Sequence, residues 1–345
     1  MPSMTAINVL EGILRTSGGA ILGSAPPLSE LKLRCPSCGK DGPALSFESL
    51  AANHDRVVCK TCSFATTQKS GIWLALPPDR QRHFAQFMRD YERVRKLEGR
   101  GSASPNFYLS LPFHDLTGRN ASQWSIRART FKHIAQDLLA TLSGQRGSPL
   151  KVLDLGAGNA WMSYRLASLG HQPVAVDLLT NTLDGLGAAI HYQSVLPKLF
   201  PRFQADLDHL PFADDQFDCA IFNASFHYSE NYKSTLSEAI RCLAPGGAII
   251  IADTPTYSQE SAGQKMIDER RQLFQKSFGC KSDSLQSGEY LTPARLLALE
   301  GNIQLEWRTH RVWYGYRWAA RPLIARLKGR REPSQFRIYS AQVKQ

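Results

Sequence analysis

This sequence predicts an α/β protein built on a doubly wound sheet, with a small metal-binding module ahead of it, and three observations carry that expectation. From Leu150 onward, brief apolar runs alternate with helical ones, the grammar of strands buried in a parallel sheet. Four of the seven cysteines stand near the N-terminus as two Cys-x2-Cys pairs. A strand, a glycine turn and a helix follow one another across Val152–Trp161. With 345 residues, 43% of them hydrophobic and 21% charged, the chain is long enough for about two domains and is of ordinary globular composition, which excludes a staple-held miniature fold, wholesale disorder and a coiled coil.

Taken in chain order, residues 1–30 are an extension in which Glu11 and Arg15 interrupt a mildly apolar stretch. No secretory signal and no membrane span are expected, so the cytoplasm is the expected compartment. Residues 31–76 hold Cys35-Pro-Ser-Cys38-Gly and Cys59-Lys-Thr-Cys62, closed by Pro77-Pro78. Two such knuckles, twenty residues apart, can aim four thiolates at one point, the tetrahedral sulfur set that a structural zinc favours. Four thiolates leave no open coordination position, so His54 is read as a surface residue.

Residues 77–144 form a helical linker. Phe84, Phe87, Met88, Tyr91, Val94 and Leu97 recur at three- and four-residue spacing and make an amphipathic helix of the charged stretch 79–97. Gly99 to Pro105 breaks it, and a second helix is expected over Ser122–Leu142. Residues 145–345 then form the main domain. Strands are expected at Lys151–Leu155, Gln172–Asp177, Phe217–Phe222 and Ala248–Ala252, with helices near 160–169, 181–196 and 232–243 between them. Two last strands are expected near 305–312 and 336–343, enclosing a basic and aromatic insertion at 314–333.

The glycine turn restricts the ligand. A dinucleotide fingerprint needs a third glycine where Trp161 stands, and Asp154 lies two positions before Gly156, which favours a ligand carrying a cation. Asp154-Leu-Gly156-Ala-Gly158-Asn-Ala160 after a strand resembles the first motif of class I S-adenosylmethionine-dependent methyltransferases. Asp177 at the end of the next strand, Asp206-Leu-Asp-His-Leu-Pro-Phe-Ala-Asp-Asp-Gln-Phe-Asp218 and Leu243-Ala-Pro-Gly-Gly247 follow in that family's order. Within it the Leu-Pro-Phe segment is most similar to the type 11 branch. The resemblance implies a Rossmann-like, doubly wound, seven-stranded sheet and S-adenosylmethionine as cofactor. It places Asp177 on the ribose and Asp206 on the adenine, with Asp154, Gly156, Gly158, Leu178, Leu207 and Asn223 completing the cofactor site. Arg127 is a candidate for the methionine carboxylate. His227 and Tyr228 follow the fourth strand, where related enzymes carry a Leu-His-His stretch, so they are the candidate catalytic pair, His227 as general base on the strength of an ordinary pKa of about 6.5.

The net charge of +11 suggests anionic partners. Nine of the basic residues fall between Arg308 and Arg337, against the single acid Glu332. Three readings stay open. The leading one is methyl transfer to a small-molecule acceptor, anionic or lipid-like, with the insertion as lid or peripheral membrane contact. A second makes the acceptor RNA and the cysteine module its docking element, as in some ribosomal RNA methyltransferases. A third keeps the cofactor pocket in a non-catalytic binding module.

Overall fold

A computed structural model describes residues 30–46, 55–279, 284–303 and 305–343. The expected N-terminal extension lies almost wholly outside the described residues, as does His54.

The cysteine module supplies five short strands: β1 (Glu30–Arg34), β2 (Asp41–Ser46), β3 (Arg56–Val58), β4 (Ala65–Lys69) and β5 (Ile72–Leu74). Helix α1 (Pro78–Leu97) follows, with Pro78 in its first turn, Asp79 near its N-terminus and Arg95 and Lys96 in its last turn, the arrangement that complements the helix dipole. Next come α2 (Pro105–Ser110) and α3 (Ala121–His133), which continues through a wider-pitched turn at Ile134–Leu139 into α4 (Ala140–Arg146). The main domain then runs β6 (Lys151–Leu155), α5 (Trp161–Ser168), β7 (Gln172–Asp177), β8 (Arg202–Gln204), β9 (Phe217–Asn223), α6 (Tyr232–Cys242), β10 (Leu243–Ala252) and β11 (Pro255–Thr256). Helices α7 (Glu260–Phe278) and α8 (Pro293–Ile303), β12 (Arg308–His310), the short helices α9 (Tyr316–Ala319) and α10 (Arg321–Leu327), β13 (Gln335–Phe336) and β14 (Ile338–Gln342) complete it.

One sheet organises the molecule, in the order β12-β14-β10-β9-β6-β7-β8-β5-β4-β3. Its stretch from β8 through β12 is the expected doubly wound seven-stranded sheet. Strands β8, β7, β6, β9 and β10 are parallel and β14 runs against them. Successive residues of β6 are buried on alternate faces, Leu153 and Leu155 in one apolar layer and Val152 in the other. That two-sided burial is why these strands read as unbroken apolar runs.

The sheet has ten strands rather than seven because the cysteine module pairs into it. Trp73 and Leu74 of β5 lie parallel to Phe203 and Gln204 of β8. Leu31, Leu33, Trp73 and Ala75 share the main core with Phe203 and Phe212, and Arg34 is tied to Asp214 at 2.9 Å. The expected helix at 181–196 is instead a 3-10 run, Leu186–Ser194. The Asn181 side chain accepts hydrogen bonds from the amides of Leu183 and Asp184, which competes with an α-helical start, and a Cβ at Gly187 would meet Thr180 O at 2.6 Å.

Trp73 is fully buried and packs against Phe203 with ring centroids 6.3 Å apart. Trp73→Ala is therefore expected to lower the stability of the whole chain by about 3–5 kcal/mol. Chemical denaturation followed by a probe in the main domain measures this. A transition that leaves the main domain's midpoint unmoved would show that the cysteine module is energetically separate.

Candidate functional site

The site is built on the turn that leaves β6. Gly156, Gly158 and Ala160 all take left-handed backbone angles, with φ of 75°, 56° and 58°. At Gly156 the requirement is also steric, since an added Cβ would lie 2.2 Å from the Ser225 Cβ. Ser225, in the loop after β9, donates its hydroxyl to Leu155 O. On the other side, Asp177 at the end of β7 accepts hydrogen bonds from Gly158 N and Leu179 N, both at 2.8 Å. The turn is thus held between the ends of its two neighbouring strands.

In front of it opens a cleft of about 810 Å³, lined among others by Gly156, Gly158, Asp177, Leu178, Asp206, Leu207 and Tyr228. Phe84, Phe87 and Tyr91 of α1 form its opposite wall. Burial pushes Asp177 up to about 6. Asp206 is buried too, but hydrogen bonds from His209, the Asp208 amide and Arg80 hold it below the usual carboxylate range. The Arg80 guanidinium lies 2.6 Å from Asp206.

A second cleft, about 1260 Å³, shares Phe87, Tyr91, Ala224 and Tyr228 with the first. Its further lining includes Arg95, Arg100, Arg127, His227, Asp253 and Arg270. Tyr228 stands at the junction, edge-on to Tyr91 with centroids 5.6 Å apart. Burial raises the pKa of both tyrosines, which keeps their hydroxyls protonated.

Four expected site residues are placed differently from the other members of the expected set. Arg127 lines the second cleft and not the first, because α3 lays it on the face of Trp124, 4.8 Å from the ring centroid. Asp154 is 1% exposed and lines neither described cleft. Its carboxylate accepts from the amide and hydroxyl of Ser163, so it fastens α5 to β6. Asn223 ends β9 but is absent from the lining of both clefts. His227 does sit in the second cleft, yet burial, Arg270 and Arg127 push its pKa down to about 3. The ordinary value that recommended it as a base at neutral pH does not hold, and its ring is neutral. Arg95, Arg100, Arg270 and Asp253 were not singled out from the sequence; they lie on α1, the break after it, α7 and the end of β10, and no local motif joins them.

The four cysteines converge as expected. Their sulfurs all lie within 4.8 Å of one another, with Cys35–Cys62 and Cys38–Cys59 both at 3.6 Å. A tetrahedron of Zn–S bonds of about 2.3 Å has edges of about 3.8 Å, so the set fits a four-thiolate ion. Backbone amides of Cys62 and Thr61 lower Cys59 to about 6. No described helix is long and apolar enough to cross a membrane.

A family model described as a methyltransferase domain matches residues 153–251. Demethylmenaquinone methyltransferase of Mycobacterium tuberculosis is 30% identical over 183 residues, 52% of this chain and 73% of that protein. Malonyl-[acyl-carrier protein] O-methyltransferase of Erwinia pyrifoliae is 29% identical over 135 residues, 39% of this chain; the match spans about half, 48%, of that relative. Among solved structures, magnesium protoporphyrin IX methyltransferase from Synechocystis, with bound S-adenosylhomocysteine, is 16% identical with a TM-score of 0.42, covering 76% of this chain and 98% of that one.

The raised pKa of Asp177 has a sign that can be tested. At about 6 in the fold, against about 3.9 unfolded, the native state keeps a proton that the unfolded chain has released. Its contribution to stability is therefore greatest below about pH 4 and is lost as pH rises through about 6. The stability advantage of the wild type over Asp177→Asn should shrink between those values. Urea midpoints of both proteins at pH 4 and pH 7 measure it, and an advantage that grows with pH refutes the assignment.

Proposed function

Because this chain belongs to the S-adenosylmethionine-dependent methyltransferase family, we propose that it binds the cofactor in the first cleft and methylates a small-molecule acceptor in the second. The observation that supports this most is the meeting of the two clefts at Phe87, Tyr91, Ala224 and Tyr228. When bound, the cofactor supplies an electrophilic methyl group on a sulfonium. Asp177 is suited to its ribose hydroxyls, since each carboxylate oxygen already held by a backbone amide retains a further lone pair. Leu178, Leu207 and Phe84 offer apolar walls to a flat base. Asp206 can serve the adenine amino group by sharing its carboxylate between that group and Arg80.

Displacement at a methyl carbon asks chiefly for alignment of two partners, and orientation supplies much of such a rate. The aromatic junction fits that task by excluding water and fixing direction. With its pKa lowered to about 3 the neutral His227 ring is a weak base, and the Tyr228 hydroxyl is protonated, so neither group of the expected catalytic pair is well matched to removing a proton at pH 7. We assign them to hydrogen bonding and positioning, with the acceptor arriving already ionised or with a free lone pair. The non-catalytic reading loses its ground in a family of enzymes. The named relatives, one for demethylmenaquinone and one for malonyl-[acyl-carrier protein], favour a small acceptor over RNA. The four cysteines are assigned to a structural zinc, since the sulfurs leave no room for an open catalytic position.

Two outcomes test this reading. Methyl-labelled S-adenosylmethionine incubated with the enzyme and an extract of the source cells should pass label to a low-mass, RNase-resistant fraction; label lost with RNase would transfer the function to RNA. Asp177→Ala should weaken cofactor binding about 10- to 100-fold in calorimetry, the size of hydrogen bonds to a charged group. The metal assignment stands separately: the purified protein should hold one zinc per chain, and Cys59→Ser should release it and lower the thermal midpoint. Unchanged metal content in that variant would overturn the zinc site.

A further inference from the structure

We infer that the second cleft recognises an oxyanion on its acceptor, a carboxylate or phosphate, through the guanidinium of Arg127, with the molecule's apolar body lying among Phe87, Tyr91 and Phe336. The inference rests on the reading of that cleft as the acceptor site, and four observations support it.

The first is the state of Arg127. Its guanidinium is fixed over Trp124, which is 3% exposed and packed edge-on against Trp161 with centroids 5.9 Å apart. Among the described residues it makes no hydrogen bond and no ion pair, and the carboxylate whose field reaches it, Asp253, is itself hydrogen-bonded to the Thr130 hydroxyl. A rigidly held fork of N–H donors facing a cavity matches the two oxygens of a carboxylate or phosphate.

The second is the surplus of positive charge around it. Arg95 is paired with Asp184, Arg100 with Glu98 at 3.1 Å, and Arg270 with Glu289. Even so, Arg100 Nη1 and Arg270 Nε are enclosed with no acceptor. Of the three acids on the lining, Asp90 accepts from the Gln86 side chain at 2.9 Å and Glu98 is shared between Arg95 and Arg100. Asp253 accepts from the Thr130 hydroxyl at 2.7 Å, its other oxygen is buried without a partner, and burial raises its pKa.

His227 reports the resulting field as a third observation. It faces the same cavity, and after burial itself the groups that hold its pKa down are Arg270 and Arg127. A partly buried cation held in no ion pair is under-compensated, and an anionic ligand relieves that cost. The fourth is the remaining wall, where Phe87, Tyr91, Val94, Ile126, Phe274 and Phe336 suit an apolar or aromatic body and not a fully hydrated ion.

The test uses three probes on the full-length enzyme: benzoate, phenyl phosphate and the neutral, similarly shaped benzamide, each titrated by calorimetry or ligand-observed magnetic resonance. At least one anion is expected to bind about tenfold more tightly than benzamide, and Arg127→Met should abolish that preference. Preference for benzoate assigns a carboxylate, and preference for phenyl phosphate a phosphate. Arg127→Lys keeps the charge without the fork and should retain only part of the preference, which covers the case in which the methionine variant does not fold. Equal binding of anion and amide, a preference that survives in Arg127→Met, or no binding of either anion at about millimolar concentration overturns the inference. S-adenosylmethionine affinity of the wild type is read in parallel. Its absence sinks the methyltransferase reading and leaves the anion preference standing, so the two failures are distinguishable.

Discussion

Everything functional here depends on the clamping of one short segment of backbone. Residues 155–158 pass between Asp177, whose carboxylate takes the Gly158 amide, and Ser225, whose Cβ leaves no space for a side chain at Gly156. The contact brings the ends of β6, β7 and β9 together at the C-terminal edge of a parallel sheet, where ligands of such folds collect. It also fixes what lies on either side. Asp177 faces the first cleft, and the same loop that carries Ser225 presents Ala224 and Tyr228 to both. One steric constraint therefore sets the distance between the two clefts.

Helix α1 closes the arrangement and is held to the sheet near both ends. Arg80 reaches Asp206 at 2.6 Å, and four turns later Arg95 reaches Asp184. Between those anchors Phe84, Phe87 and Tyr91 turn the helix's apolar face to the clefts. This face, read from the sequence as an ordinary amphipathic stripe, buries Phe84 and Val94 but leaves the aromatic residues between them half-exposed. Phe87 and Met88 still pack against the cluster of Leu76, Phe84 and Leu285, so the helix is seated on an apolar base while its aromatic rings border the cavity.

The parts legible in the sequence are those whose signal is local. Apolar runs bounded by turns gave away β6, β7, β9 and β10, because two-sided burial needs nothing but consecutive apolar residues. The glycine turn and the cysteine knuckles were legible because each needs specific residues a few positions apart. The bond from Ser163 to Asp154 was not legible, since a carboxylate two residues before the turn suits either a ligand or the next helix, and nothing local marks Ser163 as its partner. The pairing of β5 with β8 was hidden, because three-residue strands carry little periodicity. So was the fate of His227, whose pKa is lowered first by burial and then by arginines from α7 and α3, all of which the chain supplies only on folding.

The same point explains the contrast between the two places where positive charge gathers. The basic run near the C-terminus is conspicuous in the sequence, yet its exposed side chains on α10, such as Arg326, stand in water, where ionic screening makes each worth little. The arginines around the second cleft come from α1, the break that follows it, α3 and α7. They leave no mark on any local stretch of sequence, but they act in a partly dry cavity, where their charge adds to burial in lowering the pKa of His227. Chemical selectivity follows burial more closely than it follows composition. The net charge of +11 is conspicuous only where it is solvated; the four dispersed guanidiniums of the second cleft, one of them in no ion pair, are the ones placed to act on a ligand.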